Sequence, residues 1–336
     1  MQFFSSISYP APREKIAYTD ALLLNGSCFT EHIGNALQQS KFNVLQNPNG
    51  ILFDAIQVAQ SVIDWIENKD FQPQAFFMHN DWWQNWRLHS RFSHLDIDTA
   101  IRQANEAKNQ AHHFLKQTNW LILTLGSSFT YKINNQMPSE YLGDLCIGDG
   151  VANCHKLPGK YFDKHLAGID EMITALDTMF YRLVQFNPTI KVLFTVSPVR
   201  HLRDGVIENN RSKARLIETV HHLVNKFDHI YYFPAYELVI DVLRDYRFYD
   251  VDLAHPNYAA TQYVINYFKE HCLASDALAL QEKIAEIVTA KNHKPRNAQS
   301  AAHKQFLEKY ANLVAEITAA NPYLDFSAER AYFLGQ

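Results

Sequence analysis

A chain of 336 residues, 47% hydrophobic and 20% charged, can bury one large core, or one core plus an appendage. Its net charge of −4 carries no basic surplus, so neither nucleic acid nor an anionic membrane is the expected partner, and small or neutral ligands fit better. The opening MQFFSSISYPAPREK lacks the basic, apolar and cleavage regions of an export signal, and no apolar run approaches the ~20 residues that span a bilayer; the reading is a cytoplasmic protein. Cys28, Cys146, Cys154 and Cys272 are scattered, with no CxxC pair and no histidine at zinc-finger spacing. Neither a disulfide framework nor a structural metal is indicated, and no cofactor is expected.

The first apolar run, Ala21 to Asn25, reads as a buried strand. It ends at Gly26-Ser27-Cys28, and a helical pattern resumes in TEHIGNALQQS. Free N–H groups at that helix N-terminus would face the turn, and a thiol placed there would have its pKa lowered. Cys28 is therefore a candidate nucleophile, although Ser27 as a turn residue, Thr30 as an N-cap and a core-facing Cys28 are ordinary structural roles for the same residues. Further on, Phe76 to His94 gathers three of the five tryptophans beside His79, Asn80, Asp81, Arg87 and His89. This reads as an insertion or hairpin near the active face. Trp82, Trp83 and His89 could form a sugar platform with hydrogen-bonding groups, or a minor core of packed aromatics.

An amphipathic stretch, Leu95 to Gln117, precedes a second strand, Trp120 to Leu125, which ends at Gly126-Ser127-Ser128. Asn153-Cys154-His155 follows in a loop; adjacent residues rarely converge on one metal, so His155 reads as a polar cleft wall. A helix over Lys164 to Gln185 leads to a third strand, Lys191 to Val196, and then to Ser197-Pro198-Val199-Arg200-His201. Arg200 and His201 could hold a substrate carboxylate or hydroxyl, or they could form an internal ion pair with Asp204. A helix over Arg211 to Lys226 and a strand over His229 to Phe233 complete an alternation that predicts an α/β fold with a parallel sheet and helices on both faces. Ligands of such sheets collect at the carboxyl ends of the strands, which here carry hydroxyl and thiol side chains.

Near the end of the alternation, Asp252 stands three residues before His255, in a loop leading through Pro256 to a helix that Asn257 can cap. An Asp that accepts from one ring nitrogen leaves the other free to take a proton. With 16 histidines in the chain, a D-x-x-H spacing also arises by chance. Beyond Leu273, two Ala-rich amphipathic patterns with a Pro-containing break predict helices docked on the main domain or on another subunit.

The segments LLLNGSCFT, LTLGSSFTY, VANCHKLP, TVSPVRHLRDG and DLAHP, in this order, resemble the blocks of the GSCFA-domain family, part of the SGNH (GDSL-like) hydrolase superfamily. The resemblance implies a flavodoxin-like three-layer α/β/α domain over residues 1–273, with an insertion at about 70–94, and a helical extension over 274–336. It implies ester hydrolysis or acyl transfer. The superfamily's serine position falls on Cys28, with Ser27 as the alternative nucleophile, and its Asp-x-x-His pair falls on Asp252 and His255. Gly50 suits the second-block oxyanion donor. An expected asparagine donor is missing at Gly126-Ser127-Ser128, so Asn153, Ser127 or Ser128 would replace it. The expected substrate is a small-molecule or carbohydrate ester, with Arg200, His201, His155, Trp82, Trp83 and His89 as binding residues. The alternative is a non-catalytic carbohydrate or small-molecule binding protein on a degenerate SGNH scaffold.

Overall fold

The computed structural model describes residues 5–335. The first four residues, on which part of the cytoplasmic reading rests, lie outside the described residues. Among those described, no helix is long and apolar enough to cross a membrane.

In chain order the elements are β1 (Ala21–Gly26), α1 (Cys28–Gln39), β2 (Asn43–Gln46), α2 (Ala55–Glu67), β3 (Phe77–His79), β4 (Trp82–Gln84), α3 (Ile97–Gln117), β5 (Trp120–Leu125), β6 (Phe129–Ile133), β7 (Gly150–Val151) and β8 (Phe162–Leu166). Then come α4 (Ile169–Phe186), β9 (Lys191–Val196), α5 (Gly205–Lys226), β10 (Ile230–Phe233), α6 (Ala235–Glu237), α7 (Tyr258–Cys272), α8 (Ser275–Asn292), α9 (Ala301–Ala320) and α10 (Ser327–Leu334). The central sheet has the order β10-β9-β5-β1-β2, and its pairs are parallel. Counted along the chain this is 2-1-3-4-5, the flavodoxin-like order, and the winding reverses between β1 and β5.

Both faces of this sheet are covered, which is why its strands read as continuous apolar runs. Leu22, Leu24, Trp120, Ile122 and Leu193 point to one core; Leu23, Leu121, Leu123, Val192 and Phe194, the alternate positions, point to the other. The second face is closed by α2 through α5. The first is closed by α1 and α7 and, beyond them, by Ala277, Ile284 and Ile287 of α8, Val314 and Ile317 of α9 and Phe333 of α10. The C-terminal helices thus share one core with the sheet. Glu329 of α10, only 5% exposed, pairs with Lys41 at 2.8 Å and Lys291 at 3.1 Å, tying α10 to the α1–β2 turn and to α8.

Two structures interrupt the alternation. The β3–β4 hairpin pairs Phe77 with Gln84 and His79 with Trp82, and a second small sheet has the order β7-β6-β8. They meet in a minor core of Phe77, Trp86, Ile133, Val151 and Phe162, with Trp86 stacked on Phe77 at 4.1 Å.

Two helices differ from their sequence reading. Lys164 to Leu166 belong to β8, because they pair with Phe129 to Tyr131, and α4 starts only after Gly168. Helix α5 starts at Gly205, six residues before Arg211; Val206 and Ile207 in its first turn are exposed and carry no amphipathic signal.

Ile284 is fully buried among residues of the sheet, α1 and α9. Truncation of such a side chain costs about 2–5 kcal/mol. Ile284→Ala is expected to lower the urea midpoint of the single unfolding transition accordingly, measured by far-UV circular dichroism; a wild-type midpoint would mean that α8 unfolds independently of the sheet.

Candidate active site

Strand β1 ends at Gly26, whose φ of +142° lies outside the range other residues favour. A Cβ there would sit 2.2 Å from the Thr124 carbonyl oxygen, so only glycine lets β1 approach β5 this closely. The Gly26 N–H donates to Asn47 Oδ1 at 3.0 Å, and its carbonyl accepts from the Leu52 N–H at 2.9 Å. The next N–H, of Ser27, donates to Thr124 O at 3.1 Å. Ser27 is the N-cap of α1 in extended conformation, its carbonyl accepting from the Thr30 N–H at 2.9 Å. Its buried hydroxyl has no hydrogen-bond partner among the described residues.

Cys28 is the first residue of α1 and is half-buried. Burial pushes its thiol up from the ordinary cysteine range, and Glu31 adds to this; its own and the Phe29 N–H groups and the Lys213 ammonium act the other way without prevailing. The sequence reading, a thiol lowered by the helix N-terminus, is thereby reversed. The helix does supply its N–H groups, but desolvation of the thiolate outweighs them.

Asp252 Oδ2 lies 2.5 Å from His255 Nδ1, while Asp252 Oδ1 accepts from the N–H groups of Ala254 at 2.9 Å and His255 at 3.0 Å. The loop reaches this shape with Leu253 at a φ of +57°, an uncommon conformation for leucine. The His255 N–H first, then the Ala254 N–H and the imidazole, hold the Asp252 carboxyl down at about 2. A carboxylate so depressed stabilises its loop above the ordinary carboxylate range, near 4, and loses that contribution as pH falls through about 2. Asn257 caps α7 by accepting from the Ala260 N–H at 3.1 Å, and a backbone bond from Arg200 N–H to Ala254 O, 3.0 Å, ties the loop to the end of β9.

Ser27, Cys28, Ser127, Arg200, His201, Asp252 and His255 line one cleft of about 500 Å³, within the range of small-molecule sites. It opens at the carboxyl ends of β1, β5 and β9, on the reversal point of the winding. Arg200 sits over Tyr249 at 4.6 Å and Tyr246 at 5.6 Å; Asp204 pairs with Lys164 instead. Burial first, then the Lys213 charge, press His201 down to about 4, so its ring is neutral.

The remaining candidates are placed differently. The Gly50 N–H closes a turn onto Asn47 O at 2.8 Å, and the neighbouring Ile51 lines the cleft. Ser127 Oγ accepts from the Phe129 N–H at 2.9 Å and lies 3.3 Å from Ser212 Oγ. Ser128 is bound to Ser212 of α5 through both its N–H, 2.8 Å, and its hydroxyl, 3.2 Å. His89 and Asn153 line an adjoining cavity of about 270 Å³ that shares Ile51, Phe53 and Tyr131 with the cleft. Asn153 Oδ1 accepts from the His155 N–H at 2.7 Å, while its amide N–H groups are unbonded among the described residues. His155 is 5% exposed, 2.8 Å from Asn85 O, and burial presses it to about 4; it is packed against Phe77 and Trp86 rather than set in the cleft wall. Trp82 and Trp83 lie in the β3–β4 hairpin and do not line the cleft. Among the described residues no group of three or more His, Cys, Asp or Glu side chains could hold a metal ion.

A family model described as the GSCFA family matches residues 21–268, from the start of β1 into α7. The chain belongs to the GSCFA family. A second model, the C-terminal domain of GSCFA domain proteins, matches residues 284–336, from the second half of α8 through α10. No curated protein matches. Among solved structures, this GSCFA protein is similar to a carbohydrate esterase family 3 from Talaromyces cellulolyticus, at 9% identity over 81% of this chain and 99% of that one, with a TM-score of 0.36. It is similar also to an acetyl xylan esterase (Est2A) from the rumen bacterium Butyrivibrio proteoclasticus, at 11% identity over 75% of this chain and 64% of that one, with a TM-score of 0.33.

One residue sequence reading missed is Lys213, 1% exposed, whose Nζ donates to Gly126 O at 2.6 Å and Ser197 O at 2.7 Å. Its signal was a lysine on the apolar face of α5, three residues before Leu216.

Gly26→Ala places a methyl group against Thr124 O in a strained backbone conformation, each such strain costing about 1–3 kcal/mol. The variant is expected to lose at least ~2 kcal/mol in urea unfolding. A loss below ~0.5 kcal/mol, the range of neutral surface changes, would contradict the close β1–β5 approach.

Proposed function

We propose that this GSCFA protein is an esterase or acyltransferase working through an acyl-enzyme on Cys28. The observation that carries the reading is the convergence of Cys28, at the first turn of α1, and the hydrogen-bonded Asp252–His255 pair on one cleft. The Cys28 sulfur attacks the ester carbonyl carbon while His255 Nε2 takes the thiol proton, and Asp252, ionised and bonded to Nδ1, holds the tautomer. The C–O bond then breaks, the leaving alcohol takes the proton from His255, and a thioester remains. Water or an acceptor hydroxyl, deprotonated by His255, attacks the thioester and releases the acid or a new ester with the thiol restored. Because burial keeps the thiol neutral, the base is required rather than optional.

The donors assigned to the developing oxyanion are the Cys28 N–H at the start of α1, the Ile51 N–H next to Gly50, and the free amide of Asn153 in the adjoining cavity. Each such donor is worth about 3–4 kcal/mol in the transition state. Ile51, Phe53, Phe129 and Val199 offer an apolar wall for the acyl group. Arg200 in the cleft, and Asn153 and His89 in the annex, offer polar groups for a hydroxylated alcohol. This favours an O-acylated carbohydrate as the first substrate class to try.

With short-chain nitrophenyl esters, Cys28→Ala and His255→Ala are expected to lose kcat/KM by about 10³-fold or more, and Asp252→Asn by a comparable factor, while Ser27→Ala retains activity within about tenfold. Release of nitrophenol measures each. Loss in Ser27→Ala with activity kept in Cys28→Ala would move the nucleophile by one residue; a wild type no faster than His255→Ala on these and on acetylated sugars would end the enzyme reading.

A further inference from the structure

A second cavity, of about 660 Å³, shares no lining residue with the cleft or its annex and is larger than either. Gln57, Gln60, Asp64 and Glu67 recur every three or four residues along α2 and form one wall. The other walls come from the chain just after α2, from Lys108 of α3 and from the loop that ends in Gly150 of β7. Most of the charges here are paired. Arg87 meets Asp144 at 2.8 Å, Lys108 meets Asp70 at 2.9 Å, and Glu67 is held by Lys69 at 2.8 Å and by Arg182 of α4 at 2.7 Å. Two carboxylates are left over: Asp64 and Asp149 line the cavity without a cationic partner among the described residues. Asp64 Oδ1 accepts from the Gln60 amide at 2.8 Å while its buried Oδ2 has no partner, and Asp149 Oδ2 accepts from the Cys146 N–H at 2.8 Å. Burial raises the Asp64 carboxyl, and Glu67 and Asp144 add to this; the Gln60 bond and Arg87 act the other way without prevailing.

Gln57 is a second and separate signal. It is 8% exposed and lines the cavity, and its side-chain amide has no hydrogen-bond partner among the described residues. A Cβ on Gly150 would sit 2.6 Å from Gln57 Nε2, so the glycine leaves that amide its place in the wall. A polar group so deeply buried is ordinarily bonded within the protein, and its free acceptor and donors point to a polar guest.

We infer that this cavity binds a small organic cation through a primary ammonium, with Asp64 as its counter-charge and the Gln57 amide as its neutral hydrogen-bonding partner. An ammonium brings three donors and no acceptor, which suits a carboxylate without a cation beside an amide oxygen without a donor. An anion finds no free partner here, because Lys69, Arg87 and Lys108 are each engaged by a carboxylate. A metal ion fits no better, since no three carboxylate, imidazole or thiol groups converge among the described residues. Ile56 and Leu145 add apolar surface for the methylene groups of such a ligand. The inference is independent of the chemistry at Cys28.

The test is isothermal titration calorimetry of the whole chain with diaminobutane and with glucosamine, each beside its uncharged counterpart, butanediol and glucose. At least one amine is expected to bind with a Kd below about 1 mM, and its uncharged counterpart about tenfold more weakly or worse. Which amine binds tighter separates a linear amine from an aminosugar as the source of the ammonium. Asp64→Asn keeps an acceptor for Gln60 and removes the charge; Gln57→Met keeps the length of the side chain, removes the amide and breaks no hydrogen bond within the protein. Asp64→Asn is expected to weaken amine binding by about tenfold or more, and Gln57→Met by about threefold or more, the fold-changes of one charged and one neutral hydrogen bond. Attraction of any cation to an acidic surface would not register the neutral change at Gln57. No binding of either amine up to about 10 mM, equal binding of the uncharged counterparts, or a wild-type Kd in either variant would overturn the inference. Should Asp64→Asn fail to fold, Gln57→Met and the uncharged counterparts decide.

Discussion

The close passage of β1 against β5 at Gly26 is the constraint from which the site follows. With no Cβ to hold the strands apart, the Ser27 N–H reaches Thr124 O, the chain turns at once, and α1 begins at Cys28. The peptide groups of Gly26 also recruit the second loop, through Asn47 and Leu52. That loop brings Ile51 and Phe53 to the cleft, and the Phe53 carbonyl accepts the N–H groups of both Gly126 and Ser127, each at 2.9 Å. One glycine thus fixes the Ser27-Cys28 turn, the apolar wall and the turn after β5 relative to one another.

Electrostatically the cleft is divided between a desolvated floor and an open lip. On the floor, burial disfavours charge: the thiol of Cys28 is pushed up and the amine of Lys213 and the ring of His201 are pushed down. On the lip, Asp252 is exposed to water, ionised and held by three hydrogen bonds within one loop, two from His255 and one from the Ala254 N–H. In the proposed reaction, a proton passing from the floor to the lip would leave a reluctant acid for a base whose partner stays charged. Such arrangements cost stability, as the unsatisfied Ser27 hydroxyl and the unusual Leu253 backbone also do. The large double core, extended by α8 to α10, offsets that cost.

The central strands were legible because each is buried on both faces, which leaves an uninterrupted apolar run between glycine or serine turns. The Asp252–His255 loop and its Asn257 cap were legible because their partners lie within a few residues in sequence. Strand β2, NVLQ, was not, since it is an edge strand with an exposed first residue and only partly buried neighbours. The β7-β6-β8 sheet escaped notice because its strands are short and mix charged with apolar residues. The ionisation of Cys28 was misread for a physical reason: helix N-termini are visible in sequence, whereas the desolvation that outweighs them depends on what packs around the thiol. Lys213 shows the same limit, because a single lysine in an amphipathic helix looks like surface until the tertiary fold buries it. The tryptophan-rich segment proved to be a hairpin set on its own small core, where Trp86 and Phe77 pack, so that its tryptophans do not line the cleft, while His89 reaches the adjoining cavity.

The central claim is that Cys28 carries an acyl group during turnover. Acid quenching of the protein during reaction with an acetyl ester, followed by mass spectrometry of the Cys28 peptide, tests it directly. The account predicts one acetyl group on the Cys28 sulfur, removable by hydroxylamine at neutral pH and absent in Cys28→Ala. An acetyl group on Ser27, or turnover of the ester in Cys28→Ala at the wild-type rate, would contradict it.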